Sequence, residues 1–198
     1  MRVIDVLASL FGLIVLSPVL AAVAVAVKLS SPGPVLYRAK RVGRYGKLFT
    51  MYKFRTMRTG ADAGARITAG DEDERITPVG RKLRATKLDE LPQLLNVLTG
   101  QMALVGPRPE DPSFLPYYST EEWAVLSVRP GLTGPVQLDY HELADPHWQP
   151  GEDPTRAYLQ HVLHQRLAQD LQYARTRTMA GDLRLIGQTV GMLLSGRQ

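Results

Sequence analysis

From Val6 to Val27 the chain carries no charged side chain. A helix that crosses the hydrocarbon core of a bilayer needs about 20 apolar residues, so this stretch has membrane length. Three outcomes are open. A cleaved secretory signal would use the small residues Ala22, Ala24 and Ala26 near its end. Against it, Asp5 precedes the stretch, and Lys28 and a basic block follow, a flank that tends to stay cytoplasmic. A span kinked at Ser17-Pro18 is the second outcome, because proline removes a helical hydrogen bond and clashes with the preceding turn. A hairpin that enters and leaves by one face is the third. Sequence physics alone does not choose between these last two.

Charge is distributed unevenly behind this segment. No acid falls between Asp5 and Asp62, whereas nine lysines and arginines do, from Lys28 to Arg58. With a net charge of +5, the chain calls for an anionic partner: a phosphate ester, an acidic lipid surface or nucleic acid. A nucleic-acid module accounts for the charge but not for the apolar segment, so none is expected. The absence of cysteine excludes disulfides, thiolate metal sites and cysteine nucleophiles. A chain of 198 residues makes one domain of ordinary size with an appendage.

Downstream, Arg81 to Leu98 concentrates the chemistry. Cations Arg84 and Lys87 lead into adjacent carboxylates, Asp89 and Glu90. Pro92 fits a first helical turn, and Leu91, Leu94, Leu95 and Leu98 recur at helical spacing, as for a helix with its leucines on a core. An acid pair at such a start reads either as a cap that compensates the helix dipole or as a nucleophile beside a metal- or proton-handling partner. The pair alone does not decide.

Beyond it, Gly106-Pro107-Arg108-Pro109 holds one guanidinium on a stiff loop, suited to a bidentate phosphate contact. Short extended segments are expected at Val35–Tyr37 and from Leu48, with turns at 31–34 and 43–47. Loops are expected at 60–74 and 144–154. Ser119 to Glu122 reads as a capped helix start, running through Trp123 and Leu126. Tyr158 to Leu171 and Leu183 to Leu194 are amphipathic. Asp170 borders the first of these stripes as a salt-bridge partner or a ligand. His161 and His164 share a face but lack a nearby third ligand. Neither a P-loop nor a dinucleotide glycine motif is present.

Five ordered motifs together resemble one family: Ser-Pro-Gly-Pro at 31–34, Tyr-Lys-Phe-Arg-Thr-Met at 52–57, Leu-Asp-Glu-Leu-Pro-Gln-Leu at 88–94, Gly-Pro-Arg-Pro at 106–109 and Pro-Gly-Leu-Thr-Gly at 130–134. The chain is similar to the bacterial sugar transferases, the small monotopic phosphoglycosyl transferases that act on polyprenyl phosphate. The resemblance implies an α+β fold, with a re-entrant membrane helix over 1–30 broken at Ser17-Pro18 and a membrane-associated catalytic domain over 31–198. It implies transfer of a sugar 1-phosphate from a UDP-sugar to undecaprenyl phosphate, with UMP released, as the first membrane step of glycan assembly. Asp89 would be the covalent nucleophile and Glu90 its partner. Mg²⁺ would lie on Asp89, Glu90 and Asp170, with Arg84, Arg108, Lys53, Arg55 and Gln137 on phosphate or nucleotide. Anionic phospholipid at the cytoplasmic face of the bacterial plasma membrane, downstream glycosyltransferases and a second copy of the chain are the further partners it brings. Where many relatives have Trp-Ala-Gln after Thr-Gly, this chain has Pro135-Val136-Gln137, and Gln169 replaces the leucine of a Leu-Asp pair. Those departures put the sugar in question. A rival reading from another class is an inactive membrane adaptor that binds nucleotide sugars or assembly partners.

Overall fold

Ser17 and Pro18 divide the apolar stretch into two helices, α1 (Arg2–Val15) and α2 (Ser17–Ser30), bent from each other by 63°. The Ser17 hydroxyl donates to the Ile14 carbonyl at 2.7 Å, and Pro18 sits in the first turn of α2, where its missing N–H costs nothing. A computed structural model describes residues 1–61, 73–138 and 153–195. Among these no single helix is long and apolar enough to cross a membrane; the bent pair together is. Neither helix stands apart: α1 lies on the helix behind the acid pair, and α2 on the strand and helix that flank that pair.

The basic block folds as an antiparallel hairpin of β1 (Leu36–Val42) and β2 (Leu48–Phe54), with Leu36 opposite Phe54 and Val42 opposite Leu48. Ala39, Phe49 and Met51 share one buried face, and Arg38 and Lys40 lie on the other, where Val42 and Phe54 are buried at its two ends. The strand expected at Val35–Tyr37 therefore runs on through the basic residues. A tight turn at Arg44–Gly46 joins the strands, with Tyr45 and Gly46 at φ of 58° and 73°.

Next comes α3 (Pro78–Ala85), capped by the Thr77 hydroxyl, which accepts from the Gly80 N–H at 2.9 Å. Gly80 is required there, because a Cβ would lie 2.0 Å from the Thr56 carbonyl oxygen. Lys87, left-handed at φ 55°, then turns the chain into a 3₁₀ segment, Leu88–Gln93. This corrects the sequence expectation: the acids open a 3₁₀ turn, and the α-helix proper, α4 (Leu94–Thr99), begins after them. Leu94 is buried but Leu95 is 40 % exposed, so the leucine stripe is not uniformly a core stripe.

Strands β3 (Ala103–Val105) and β4 (Gly131–Thr133) pair in parallel, so the Gly-Pro-Arg-Pro and Pro-Gly-Leu-Thr-Gly segments lie side by side. Between them Ser119 and Glu122 cap each other reciprocally, but the following turn, Glu122–Ser127, is 3₁₀ and not a longer helix. Short helices α5 (Pro135–Leu138) and α6 (Pro154–Ala157), a π-helical turn (Tyr158–Val162), α7 (Leu163–Thr176) and α8 (Met179–Ser195) complete the described chain. The fold is thus mixed helix with two small sheets. Most of the two loops expected at 60–74 and 144–154 lies outside the described residues.

One buried side chain ties these parts together. Asn96, on α4 and fully buried, accepts the Tyr52 N–H at 3.0 Å. Its amide donates to the Thr50 carbonyl and to Gln101 Oε1, each at 2.7 Å. Asn96→Leu strands two main-chain groups of β2 in a dry site, at about 1–3 kcal/mol each. Equilibrium urea unfolding of the two forms side by side reads the expected loss of about 2–5 kcal/mol.

Candidate active site

Four elements bring the predicted residues towards one place. The dyad stands on the 3₁₀ turn, with Asp89 7 % exposed. Lys53, on an exposed-to-buried strand position of β2, donates to Glu90 Oε1 at 2.6 Å. Arg84, in the last turn of α3, donates from Nε to the Thr56 hydroxyl at 2.9 Å, and its charge acts on Asp89 together with that of Lys87. From the loop after β3, the charge of Arg108 acts on Glu90.

This surrounding splits the dyad. Burial pushes Asp89 up to about 6; Lys53 opposes the rise, and the Glu90 charge adds to it. Burial also works against charge on Glu90, but Lys53 and Arg108 outweigh it and hold that carboxyl down at about 2. Two adjacent carboxyl groups with separated titrations are the electrostatic mark of two different roles. Glu90 is a fixed anion, whereas Asp89 is the more basic, desolvated and hence more reactive oxygen pair.

Behind Arg108, Asp170 on α7 braces the stiff loop: its Oδ2 accepts the Arg108 main-chain N–H at 3.3 Å. Burial pushes Asp170 up to about 7, against Arg166 and that N–H. No sequence motif points to the network beside it. Tyr158 donates to Glu110 Oε2 at 2.5 Å and receives the Arg166 guanidinium at 2.9 Å. Glu110 lies 48 residues before Tyr158, and Arg166 follows it by eight, across the π-helical turn that Tyr158 opens.

Two expected site residues are placed otherwise. Arg55 is buried with its guanidinium on the Pro32 and Ser31 carbonyls, at 2.6 and 2.8 Å, where it closes the end of α2. There it fastens the exit from the apolar hairpin. Gln137 lies on α5 with its Oε1 buried beside Gly134, without a hydrogen-bond partner. His164 pairs with Glu122 at 2.7 Å, and among the described residues no three metal-ligating side chains gather round it and His161.

With this geometry in place, comparison with known proteins is decisive. The family model for bacterial sugar transferases matches residues 1–196. The chain belongs to the bacterial sugar transferase family. Among relatives, a UDP-glucose:undecaprenyl-phosphate glucose-1-phosphate transferase of Caulobacter vibrioides is 41 % identical over 98 % of this chain and 69 % of its own length. An exopolysaccharide production protein of Rhizobium leguminosarum is 38 % identical, over 99 % of this chain and 96 % of its own. A UDP-N-acetylgalactosamine-undecaprenyl-phosphate N-acetylgalactosaminephosphotransferase of Aeromonas hydrophila is 35 % identical, and the chain spans 44 % of its length.

For this family member, the donor set suits Mg²⁺. Asp89 and Glu90 are hard oxygen ligands side by side, and Mg²⁺ is usually held by one or two carboxylates with substrate phosphate and water completing the shell. Asp170 is not part of an all-protein cage: among the described residues no three metal-ligating side chains gather. Its Oδ2 holds the Arg108 main-chain N–H instead.

Lys53 lowers the titration of both acids, so Lys53→Met moves both midpoints upward, from about 2 for Glu90 and about 6 for Asp89. The linkage has opposite signs. Stabilisation from Glu90 is present above its ordinary 4.5 and is lost as pH falls towards 2, whereas Asp89 favours the fold below 3.8 and less as pH rises through 6. Carboxyl-carbon NMR titration of wild type and variant reads both midpoints. Unmoved midpoints would remove Lys53 from the site's electrostatics.

Proposed function

We propose that this transferase moves a sugar 1-phosphate from a UDP-sugar to undecaprenyl phosphate and releases UMP, working at the cytoplasmic face of a bacterial membrane. The observation that carries the proposal is the split dyad, a basic buried carboxyl at Asp89 beside a cation-pinned anion at Glu90. Family membership and the relatives' names support the substrate class.

An Asp89 oxygen attacks the phosphorus that bears the sugar. A new Asp–phosphorus bond forms, the bond to the bridging oxygen breaks, and UMP leaves with the electron pair. An oxygen of the lipid phosphate then attacks the same phosphorus, which frees Asp89 and leaves the sugar on a lipid diphosphate. Asp89 and Glu90 would hold Mg²⁺, which supplies neutralisation of the diphosphate charge. Arg84, Lys87 and Arg108 surround the dyad with positive charge, so an anionic donor meets a field of the right sign.

The outward face of α1 supports the membrane reading. Val3 is 71 % and Phe11 69 % exposed, and Leu7 and Ile14 share that face. Such a helix suits lipid, and the 63° bend suits a hairpin that returns to the side it entered.

The test is the first half-reaction, UMP released from UDP-sugar with no lipid acceptor. Wild type gives one burst per active site, and Asp89→Asn loses at least about 10³-fold in burst rate. Because Asp89 attacks as the anion, the rate climbs about tenfold per pH unit below its midpoint near 6 and is flat above it. If UMP forms only when lipid phosphate is added, direct attack by the lipid replaces the covalent route.

A further inference from the structure

A surface helix of a folded domain normally turns its apolar side inward. α1 is inverted. Arg2, Asp5, Ser9 and Gly12 share one face and point at the catalytic domain, while Val3, Leu7, Leu10, Phe11 and Ile14 lie exposed on the other.

Each inward residue meets α4 or the strand after it, or is sealed between them. The Arg2 guanidinium donates to the Val97 and Leu98 carbonyls, the latter at 2.7 Å, in the last turn of α4. It lies over Gly100, where a Cβ would come 3.1 Å from the guanidinium. Asp5, 2 % exposed, accepts the Leu104 N–H at 3.3 Å. Ser9 is fully buried. Gly12 lets the helices touch, since a Cβ there would stand 3.3 Å from Leu94 Cδ1. The contacts thus reach both ends of α4, and Leu94 directly follows the dyad turn.

We propose that Arg2 is a positioning residue for the dyad: by holding the last carbonyls of α4, its guanidinium fixes the turn that carries Asp89 and Glu90 against Lys53. Arg2 acts through α4 and touches no substrate. The inference rests on the proposed function for the meaning of the dyad, but the clamp itself does not. Arginine suits the task because a planar fork reaches two carbonyls at once, which an ammonium does less well. The C-terminal end of a helix also attracts a cation.

The test compares full-length wild type, Arg2→Met and Arg2→Lys in lipid nanodiscs. Single-turnover UMP release at saturating UDP-sugar falls roughly 10- to 100-fold in Arg2→Met, the scale of a small misplacement of reacting groups. The donor KM stays within about threefold, because ground-state binding is not what Arg2 serves. Arg2→Lys recovers part of the rate. Amide hydrogen exchange is read on the same samples: residues 94–99 exchange faster in Arg2→Met, while 163–176 keep wild-type protection and show that the fold persists. An undiminished rate in Arg2→Met overturns the positioning role, as does unchanged exchange over 94–99. A wild type that releases no UMP from any donor counts against the proposed function, and the exchange arm then decides the clamp alone.

Discussion

Everything the site does depends on where α4 sits against β2, and Asn96 sets that. Its amide is buried between a helix and a strand, and it satisfies Tyr52 and Thr50 main-chain atoms on either side of Met51. Lys53 is one residue past Tyr52, and the dyad ends four residues before Leu94, where α4 begins. A shift of α4 by a fraction of an ångström would therefore be felt at the Lys53–Glu90 pair. A hydrogen-bonded amide is suited to this, because a slip along the strand leaves donors and acceptors unpaired in a dry interior, whereas an apolar contact would tolerate it.

Given that register, the electrostatics follow from one asymmetry. Lys53 bonds Glu90 directly but acts on Asp89 only through space, so with Arg108 it brings Glu90 down against burial, while burial prevails at Asp89. Had both acids been paired with cations, both would be weak nucleophiles. Had neither been paired, each would have discouraged ionisation of the other. One carboxyl bonded to Lys53 and one not leave a carboxylate held low beside a more basic neighbour, the pairing on which the proposed reaction rests.

Much of this was legible in the chain, and the reasons differ by residue. Asp89, Glu90, Arg84 and Arg108 stand in motifs that are contiguous in sequence, and Ser17-Pro18 is a local breaker, so short-range rules reach them. Arg55 takes a place that its motif, two residues from Lys53, does not announce. On a strand that spacing means the same face, yet Arg55 lies just past the end of β2 at Phe54, where the chain no longer alternates. Its guanidinium found the Ser31 and Pro32 carbonyls instead. Asn96, Tyr158, Glu110 and Arg166 were invisible for another reason. Each is ordinary in its own segment and acquires a role only from a partner dozens of residues away or brought round by a π turn, and Arg166 reads locally as a polar position on an amphipathic helix.

The two arginines at the ends of the apolar stretch bear on its topology. Arg2 binds the end of α4, and Arg55 binds the chain as it leaves α2, so the beginning and the end of the stretch are fastened to one folded body. A straight span would carry one of these ends to the far side of a bilayer, and both fastenings could not then persist. The inward face of α1 strengthens the point. A buried carboxylate at Asp5 is costly in hydrocarbon unless protein covers it, and the Leu104 N–H of β3 does so. What favours a hairpin over a span is therefore not the proline, which either shape tolerates, but the polar inner face and the two guanidinium anchors that keep both ends on the domain's side.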